Sequence, residues 1–234
     1  MSARARPVVA IDGPAGTGKT TVARRTAEEL GYTLVDTGAI YRATALAAAR
    51  AGLPLEDSPG ARAALGALAA RLRVAFRAGP EGQRVFLAED EVTQEIRAPA
   101  MSQAASRVSA VPEVRAALLE LQRRLGRDGG VVLEGRDIGT VVFPDAEVKV
   151  FLTASPEVRA ARRQAELEAR GVRATFEETL REQLERDARD EGRAVAPLRA
   201  APDAVRIDTG PLALEEVVAR VVELVRAALA RGPR

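Results

Sequence analysis

The chain has 234 residues, 35 basic and 33 acidic, with no cysteine, histidine, tryptophan or asparagine. The missing residue types exclude a Ser-His-Asp triad, a Cys-His dyad, a disulfide framework, a conventional zinc site and the Asn-Lys-x-Asp guanine-reading motif of small GTPases. A net charge of +2 gives no basic field for nucleic acid, and no apolar run approaches the roughly 20 residues that span a bilayer. The expectation is a cytoplasmic protein with neither nucleic-acid nor membrane partners.

In chain order, Val8–Ile11 is a short apolar run that predicts a buried strand leading into a glycine-rich turn. Lys19–Leu30 has helical spacing at Val22, Ala23, Thr26, Ala27 and Leu30, and Gly31 stands at the C-terminal cap position. Thr33–Val35 predicts a second strand, and Ile40–Arg50 a helix closed by Gly52 and Pro54. Residues 55–97 differ in texture: a helix over Ala61–Leu72, then strands over Arg73–Arg77 and Arg84–Ala88 around Gly79-Pro80-Glu81-Gly82. That pattern predicts a small α+β insertion. Helices follow over Ser102–Ser109 and Pro112–Leu125, with Pro112 well placed in a first turn. Val131–Leu133 and Val148–Leu152 are β-branched runs of the kind buried on both faces of a parallel sheet. Pro156–Arg170 and Phe176–Glu191 read as charged helices, Ala204–Ile207 as a last strand and Leu214–Leu229 as a last amphipathic helix. The alternation predicts one doubly wound α/β domain over residues 1–234, with an aliphatic core, since only 3% of residues are aromatic.

Gly13-Pro14-Ala15-Gly16-Thr17-Gly18-Lys19-Thr20 fits the phosphate-loop pattern G-x-x-x-x-G-K-S/T. Glycines let backbone N–H groups turn toward phosphate oxygens, and the helix that follows aims its positive end at the same anion. At these residue frequencies, about one chain in a thousand of this length would match by chance. Lys19 is placed to reach the β- and γ-phosphates, and the Thr20 hydroxyl to ligate Mg²⁺, partly through water. The candidate triphosphate set is Gly13, Pro14, Ala15, Gly16, Thr17, Gly18, Lys19, Thr20 and Thr21. The loop alone covers ATPases, GTPases and kinases. The missing asparagines disfavour the GTPases, and the length disfavours motors and transporters.

Asp36-Thr37-Gly38 and Asp208-Thr209-Gly210 resemble the paired aspartates of a bilobal acid protease. Such proteases are all-β, whereas this chain is dominated by Ala/Glu/Arg helices. In an α/β sheet the same tripeptide is an ordinary strand exit and helix entrance. Two arginine-bearing segments carry more chemistry. Glu134-Gly135-Arg136-Asp137-Ile138-Gly139-Thr140 leaves a predicted central strand, where open α/β sheets bind ligands. Arg186, Arg189/Asp190 and Arg193 share one helical face. On spacing alone a solvated salt-bridge helix is the better account of the second segment, whereas for the first, with its better position, an Arg-Asp pair bridging two loops is the plain alternative. Arginines around a phosphate loop point to a second anionic substrate whose repulsion from the triphosphate must be neutralised.

Four blocks carry a family resemblance: Ile11 through Lys19, Asp36 through Arg42, Gly135 through Ala146, and Arg186-Asp187 through Ala196-Pro197-Leu198. On these the chain resembles the bacterial cytidylate kinases, a branch of the nucleoside monophosphate kinases. The first block is generic to phosphate loops; the other three are specific to the family. The resemblance implies a P-loop α/β fold with a five-stranded parallel sheet flanked by helices (core about 7–54, 98–155 and 194–234). It also implies a small α+β acceptor-binding insertion at about 55–97 and a helical lid at about 156–193. It implies transfer of the ATP γ-phosphoryl group to CMP or dCMP, with Mg²⁺, by a protein expected to be monomeric. Carried over by position, Arg42, Arg136 and Arg193 hold the acceptor phosphate. Ser106, Arg115 and Asp137 read cytosine, Arg186 and Asp190 hold the sugar, and Tyr41 lines the acceptor pocket. Thr37 keeps the hydroxyl of the serine found in many relatives and joins the acceptor set. Lys19, Arg136, Arg162, Arg163 and Arg193 form the implied catalytic set, and Arg159, Arg162 and Arg163 fall in the lid, where one or two would close on the triphosphate. Glu134 stands where others have Asp. A kinase for UMP or AMP is the neighbouring reading, and a P-loop regulatory or nucleic-acid-binding protein the reading from another class.

Overall fold

A computed structural model describes residues 4–55, 58–79 and 82–232. The first strand, β1 (Val8–Asp12), is buried along its whole length, as a strand covered on both faces must be. The phosphate loop follows, then α1 (Lys19–Leu30), β2 (Thr33–Asp36) and α2 (Thr37–Arg50). The helix α2 begins at Thr37, three residues before its first large apolar side chain at Ile40, because the Asp36 carboxylate accepts the Ala39 N–H at 2.9 Å and starts the first turn. In the same way Ser58 caps α3 (Pro59–Ala70) through the Ala61 N–H, so this helix opens before Ala61.

The strands β3 (Val74–Gly79), β4 (Gly82–Leu87) and β5 (Asp90–Glu91) form an antiparallel sheet in that order. The hairpin of the sequence reading is present; β5, two residues long, left no periodic signal. The tip residues 80 and 81 lie outside the described residues. Next come α4 (Pro99–Val108), α5 (Pro112–Gly126) and β6 (Val131–Gly135). A single π-helical turn, Ile138–Val142, follows β6. The chain then runs through β7 (Val148–Thr153), α6 (Pro156–Glu168), α7 (Phe176–Glu191), β8 (Val205–Asp208) and α8 (Leu214–Arg231).

The main sheet is five-stranded and parallel, in the order β2-β6-β1-β7-β8. β1 is central, and both its neighbours end at the same edge: Asp12 pairs with Gly135 on one side and with Phe151 on the other. The phosphate loop and the Arg136-Asp137 segment therefore leave adjacent strands at their carboxyl ends.

The chain packs as two compact units, Met1–Leu34 with Gly126–Arg234, and Val35–Leu125. In the first, Val9, Ile11, Val150 and Leu152 of the sheet pack with Val22 of α1 and with Val221 and Val225 of α8. In the second, Ile40 and Leu46 of α2 pack with Leu65 of α3, Val108 of α4 and Leu118 of α5. Residues 58–79 and 82–97 thus share a core with α2, α4 and α5. Among the described residues no helix is long and apolar enough to cross a membrane.

Candidate active site

The phosphate loop needs its glycines for space as well as for conformation. Gly13 has φ +148°, and a Cβ there would lie 2.2 Å from the Leu152 carbonyl oxygen. At Gly16, with φ +78°, a Cβ would meet the Arg159 Cβ at 2.9 Å. Gly18, at φ 83°, ends the loop and gives α1 no side-chain cap, so the first-turn N–H groups face outward as donors for an anion. Lys19 is buried. Its Nζ donates to the Pro14 carbonyl at 2.5 Å and to Thr17 Oγ1 at 3.5 Å. Burial holds its pKa well below the usual lysine value; the nearby charges of Arg136 and Arg186 push the same way, against Glu134 and Asp12. The Thr20 hydroxyl is hydrogen-bonded to the buried Glu134 carboxylate, and Thr20 and Thr21 both lie in the exposed first turn of α1.

Asp190, in the last turn of α7, organises the arginines around it. It is 1% exposed, accepts Arg136 Nε at 3.0 Å and is ion-paired to Arg193 three residues later. Burial alone would raise its pKa, but Arg136, Arg193 and Arg186 together overturn that and hold it below the ordinary aspartate value. Arg186 and Asp190 lie on α7, whereas Arg193 lies two residues beyond its last turn, so the expected common helical face is not formed; Asp190, Arg136 and Arg193 instead make a packed ionic cluster rather than a solvated salt-bridge face. Arg189, by contrast, turns back to the Glu185 carbonyl of its own helix.

Asp137 is 4% exposed and opens the π-helical turn. Directly behind it, the buried Asp12 carboxylate accepts both the Ile138 and the Gly139 N–H at 2.8 Å. Burial raises Asp12 to about 7, helped by the Asp137 charge and opposed by those two hydrogen bonds and by Lys19. A carboxyl that titrates higher in the folded than in the unfolded chain favours folding when protonated, and that contribution fades as pH rises from the unfolded value to the folded one. The difference in Tm between the wild type and Asp12→Asn is accordingly expected to move against the wild type between pH about 4 and 7 and to level off above. A difference that stays flat across that window would mean that Asp12 titrates normally.

The three arginines of α6 have distinct surroundings. Arg159 is buried, donates to the Ala154 and Ala15 carbonyls at 3.1 and 3.2 Å, and is ion-paired to Asp187 at 2.6 Å. Gln183, on the same face of α7, donates back to the Arg159 carbonyl. Arg162 holds Thr209, Nη1 to the hydroxyl at 2.9 Å and Nη2 to the carbonyl at 2.6 Å. Arg163 pairs with Glu166 on its own helix. The two Asp-Thr-Gly turns are local devices. Asp36 caps α2, and Asp208 accepts the Gly210 N–H at 2.8 Å.

Within the second unit, Thr37 is the first residue of α2 and buried, and Arg42 one turn on is paired with Asp36 at 2.7 Å. The Arg115 guanidinium stands 5.5 Å from the centroid of the buried Tyr41 ring. Arg115 and Ser106 are both buried and both tied to Ser109, which accepts from Arg115 at 3.2 Å and donates to the Ser106 carbonyl at 3.0 Å.

Ser109, Asp12, Asp187, Gln183 and Glu134 take part in these contacts without a local sequence signal for them. For Glu134 and Asp12 the missing signal was strand register. Ile11 pairs with Glu134 and Asp12 with Gly135, which brings two carboxylates to one sheet edge from positions 122 residues apart.

A phosphate loop at the exit of a central parallel strand, with a buried lysine and an acid-anchored arginine cluster beside it, defines a P-loop phosphotransferase. A protein-family profile described as cytidylate kinase matches residues 9–227. The cytidylate kinase of Pelotomaculum thermopropionicum is 53% identical over 222 residues, covering 94% of this chain and 96% of its own. That of Geobacter sulfurreducens is 50% identical over 228 residues, covering 97% and 96%. A bifunctional pantoate ligase/cytidylate kinase of a Synechococcus strain is 49% identical over 230 residues, covering 97% of this chain and 42% of its own. A solved structure of an uncharacterized protein from Eubacterium ventriosum shares the fold at a TM-score of 0.53 and 11% identity, over 95% of this chain and 99% of its own. The chain belongs to the cytidylate kinase family.

Proposed function

We propose that this chain transfers the γ-phosphoryl group of ATP to CMP or dCMP, releasing ADP and the cytidine diphosphate. The observation that carries the reading is the meeting of Lys19, Arg136 and the Asp190-anchored arginines at the carboxyl edge of β1 and β6. A phosphate monoester has a second pKa near ~6 and is mostly dianionic at neutral pH, so the acceptor oxygen needs no general base and the absence of histidine is no obstacle. That oxygen attacks the γ-phosphorus while the bond to the bridging oxygen of ADP breaks, and the protein's work is to align two anions and stabilise charge on the moving group.

In this reading residues 13–21 cradle the triphosphate, Lys19 contacts the transferring group, and Arg136 and Arg193 hold the acceptor phosphate. Arg186 and Asp190 hold the sugar. For Thr37, Tyr41, Arg42, Ser106 and Arg115, all within the second unit, an acceptor role rests on the family resemblance alone. Among the arginines of α6, Arg159 acts on the triphosphate by fixing the loop at Ala15, and Arg162 and Arg163 would have to exchange Thr209 and Glu166 for the nucleotide to close on it. The hard oxygen donors of Thr20 and Glu134 suit a divalent cation, and these two residues would hold Mg²⁺, partly through water. When bound, Mg²⁺ neutralises charge between the β- and γ-phosphates. The reading is of a monomeric cytoplasmic enzyme.

Asp137 sets the choice of base. A carboxylate accepts from the cytosine N4 amino group, whereas uracil presents a carbonyl at that place. A panel of CMP, dCMP, UMP and AMP with an ADP-coupled readout is expected to favour the two cytidine nucleotides. Asp137→Asn is expected to narrow the CMP/UMP ratio of kcat/KM by about tenfold or more. Equal use of UMP by the wild type would overturn the substrate assignment, and an unchanged ratio in the variant would remove Asp137 from base reading.

A further inference from the structure

We infer that Asp12 is a positioning residue for acceptor selection: from the last position of β1 it holds the segment that carries Arg136 and Asp137 in register with the phosphate loop. The inference rests on the base-reading role given to Asp137. Both carboxylate oxygens are committed, Oδ1 to the Ile138 N–H and Oδ2 to the Gly139 N–H, each at 2.8 Å. Two successive amides converging on one carboxylate form an anion nest, here closed by a side chain of the same chain. Its location decides what it does. The two amides open the π-helical turn Ile138–Val142, one peptide bond beyond Asp137 and two beyond Arg136. Asp12 itself is joined to Gly13, whose φ is +148° and at which even a Cβ would lie 2.2 Å from the Leu152 carbonyl oxygen, so the loop entrance has little room to follow a shifted neighbour.

The surroundings exclude slack on the other side as well. Asp12 is 4% exposed, and a Cβ on Gly139 would lie 3.2 Å from the Lys149 Cδ and 3.4 Å from the Asp12 carboxylate. Lys149 is in turn held by the Pro144 carbonyl and Asp203. The turn thus has one anchor from the strand that feeds the phosphate loop and close packing behind it. Loosening the anchor shifts Asp137 and Arg136 relative to Lys19, and a base-reading carboxylate displaced by a fraction of an ångström loses its discrimination first.

Asp12→Asn supplies the test, because the amide keeps one acceptor and turns an N–H donor toward the second backbone N–H. At saturating ATP the variant is expected to raise KM for CMP and to lower the CMP/UMP ratio of kcat/KM by about tenfold, while KM for ATP stays within about twofold. In the double variant Asp12→Asn/Asp137→Asn the loss of selectivity is expected to equal that of Asp137→Asn alone, since the first change acts through the second. Two results would overturn the inference: an unchanged CMP/UMP ratio with a raised KM for ATP, which assigns Asp12 to the loop alone, or additive losses in the double variant. Should Asp12→Asn yield no folded protein, Asp12→Ser carries the same readouts, its hydroxyl accepting one amide and leaving room for water at the other. A wild type that fails to prefer CMP to UMP would overturn the substrate assignment itself and is separate from either result.

Discussion

Lys19→Ala is expected to lower kcat for CMP by at least ~10²-fold, with a far smaller change in KM for ATP. Lys19 is buried at the first position of α1, where its ammonium is held by the Pro14 carbonyl and Thr17 Oγ1. Burial and the like charges of Arg136 and Arg186 make that ammonium costly to keep. A cation in such a place gains most from a partner whose negative charge grows, and charge spreads over the equatorial oxygens of the γ-phosphoryl group as it leaves ADP. In the proposed reaction the contact is therefore stronger in the transition state than in the ground state, and its loss falls on kcat. Lys19→Arg is not expected to rescue the rate, because a planar fork does not replace the compact ammonium that the Pro14 carbonyl and Thr17 Oγ1 hold. Saturation kinetics in both substrates check this. A loss confined to KM for ATP would mean that Lys19 only binds the ground state.

What the sequence could disclose divides by the range of the interactions involved. Phe176–Glu191 is the same helix in the reading and in the structure, because both of its ends are local: the Thr175 hydroxyl and Glu178 carboxylate form a capping box, and Gly192 follows the last turn. The phosphate loop is equally local, since its glycines, its lysine and its flanking strand and helix lie within 23 consecutive residues, Val8–Leu30. The fate of the arginines was not local. Spacing predicts one helical face for Arg186, Asp190 and Arg193, but α7 ends at Glu191, and only the sheet order brings Arg136 to Asp190 across 54 positions. The same holds within α6, where Arg159 and Arg163 are one turn apart yet one is bound to Ala15 and Asp187 and the other to Glu166. Glu134, which looked like a neutral exchange for Asp, reaches the Thr20 hydroxyl because β6 lies beside β1. Local rules found the elements; the partners of long polar side chains depended on which strands became neighbours.

Asp190→Asn is expected to cost stability and acceptor binding together. Asp190 is 1% exposed and is the carboxylate shared by Arg136 and Arg193, with Arg186 close enough to lower its pKa further. Removing one partner of a buried ionic cluster leaves uncompensated charge, at a cost of ~3–5 kcal/mol, or several degrees in Tm for a chain of this size. Asparagine has the right shape but the wrong balance: its oxygen serves one arginine while its NH₂ faces the other. The two arginines assigned to the acceptor phosphate then lose their common anchor, and KM for CMP is expected to rise by at least ~10-fold. The pH dependence has a definite sign. A carboxylate with a depressed folded-state pKa contributes stability that is present above its unfolded value near ~3.9 and is lost as pH falls through the folded value. The Tm gap between wild type and variant is therefore expected to be constant from pH 8 to 5 and to close only below pH about 4. Thermal unfolding across that range with CMP kinetics at neutral pH checks both halves. A variant with unchanged Tm and a raised KM would mean that the cluster is held by the helix alone, and one with a lowered Tm and an unchanged KM would take Arg136 and Arg193 off the acceptor.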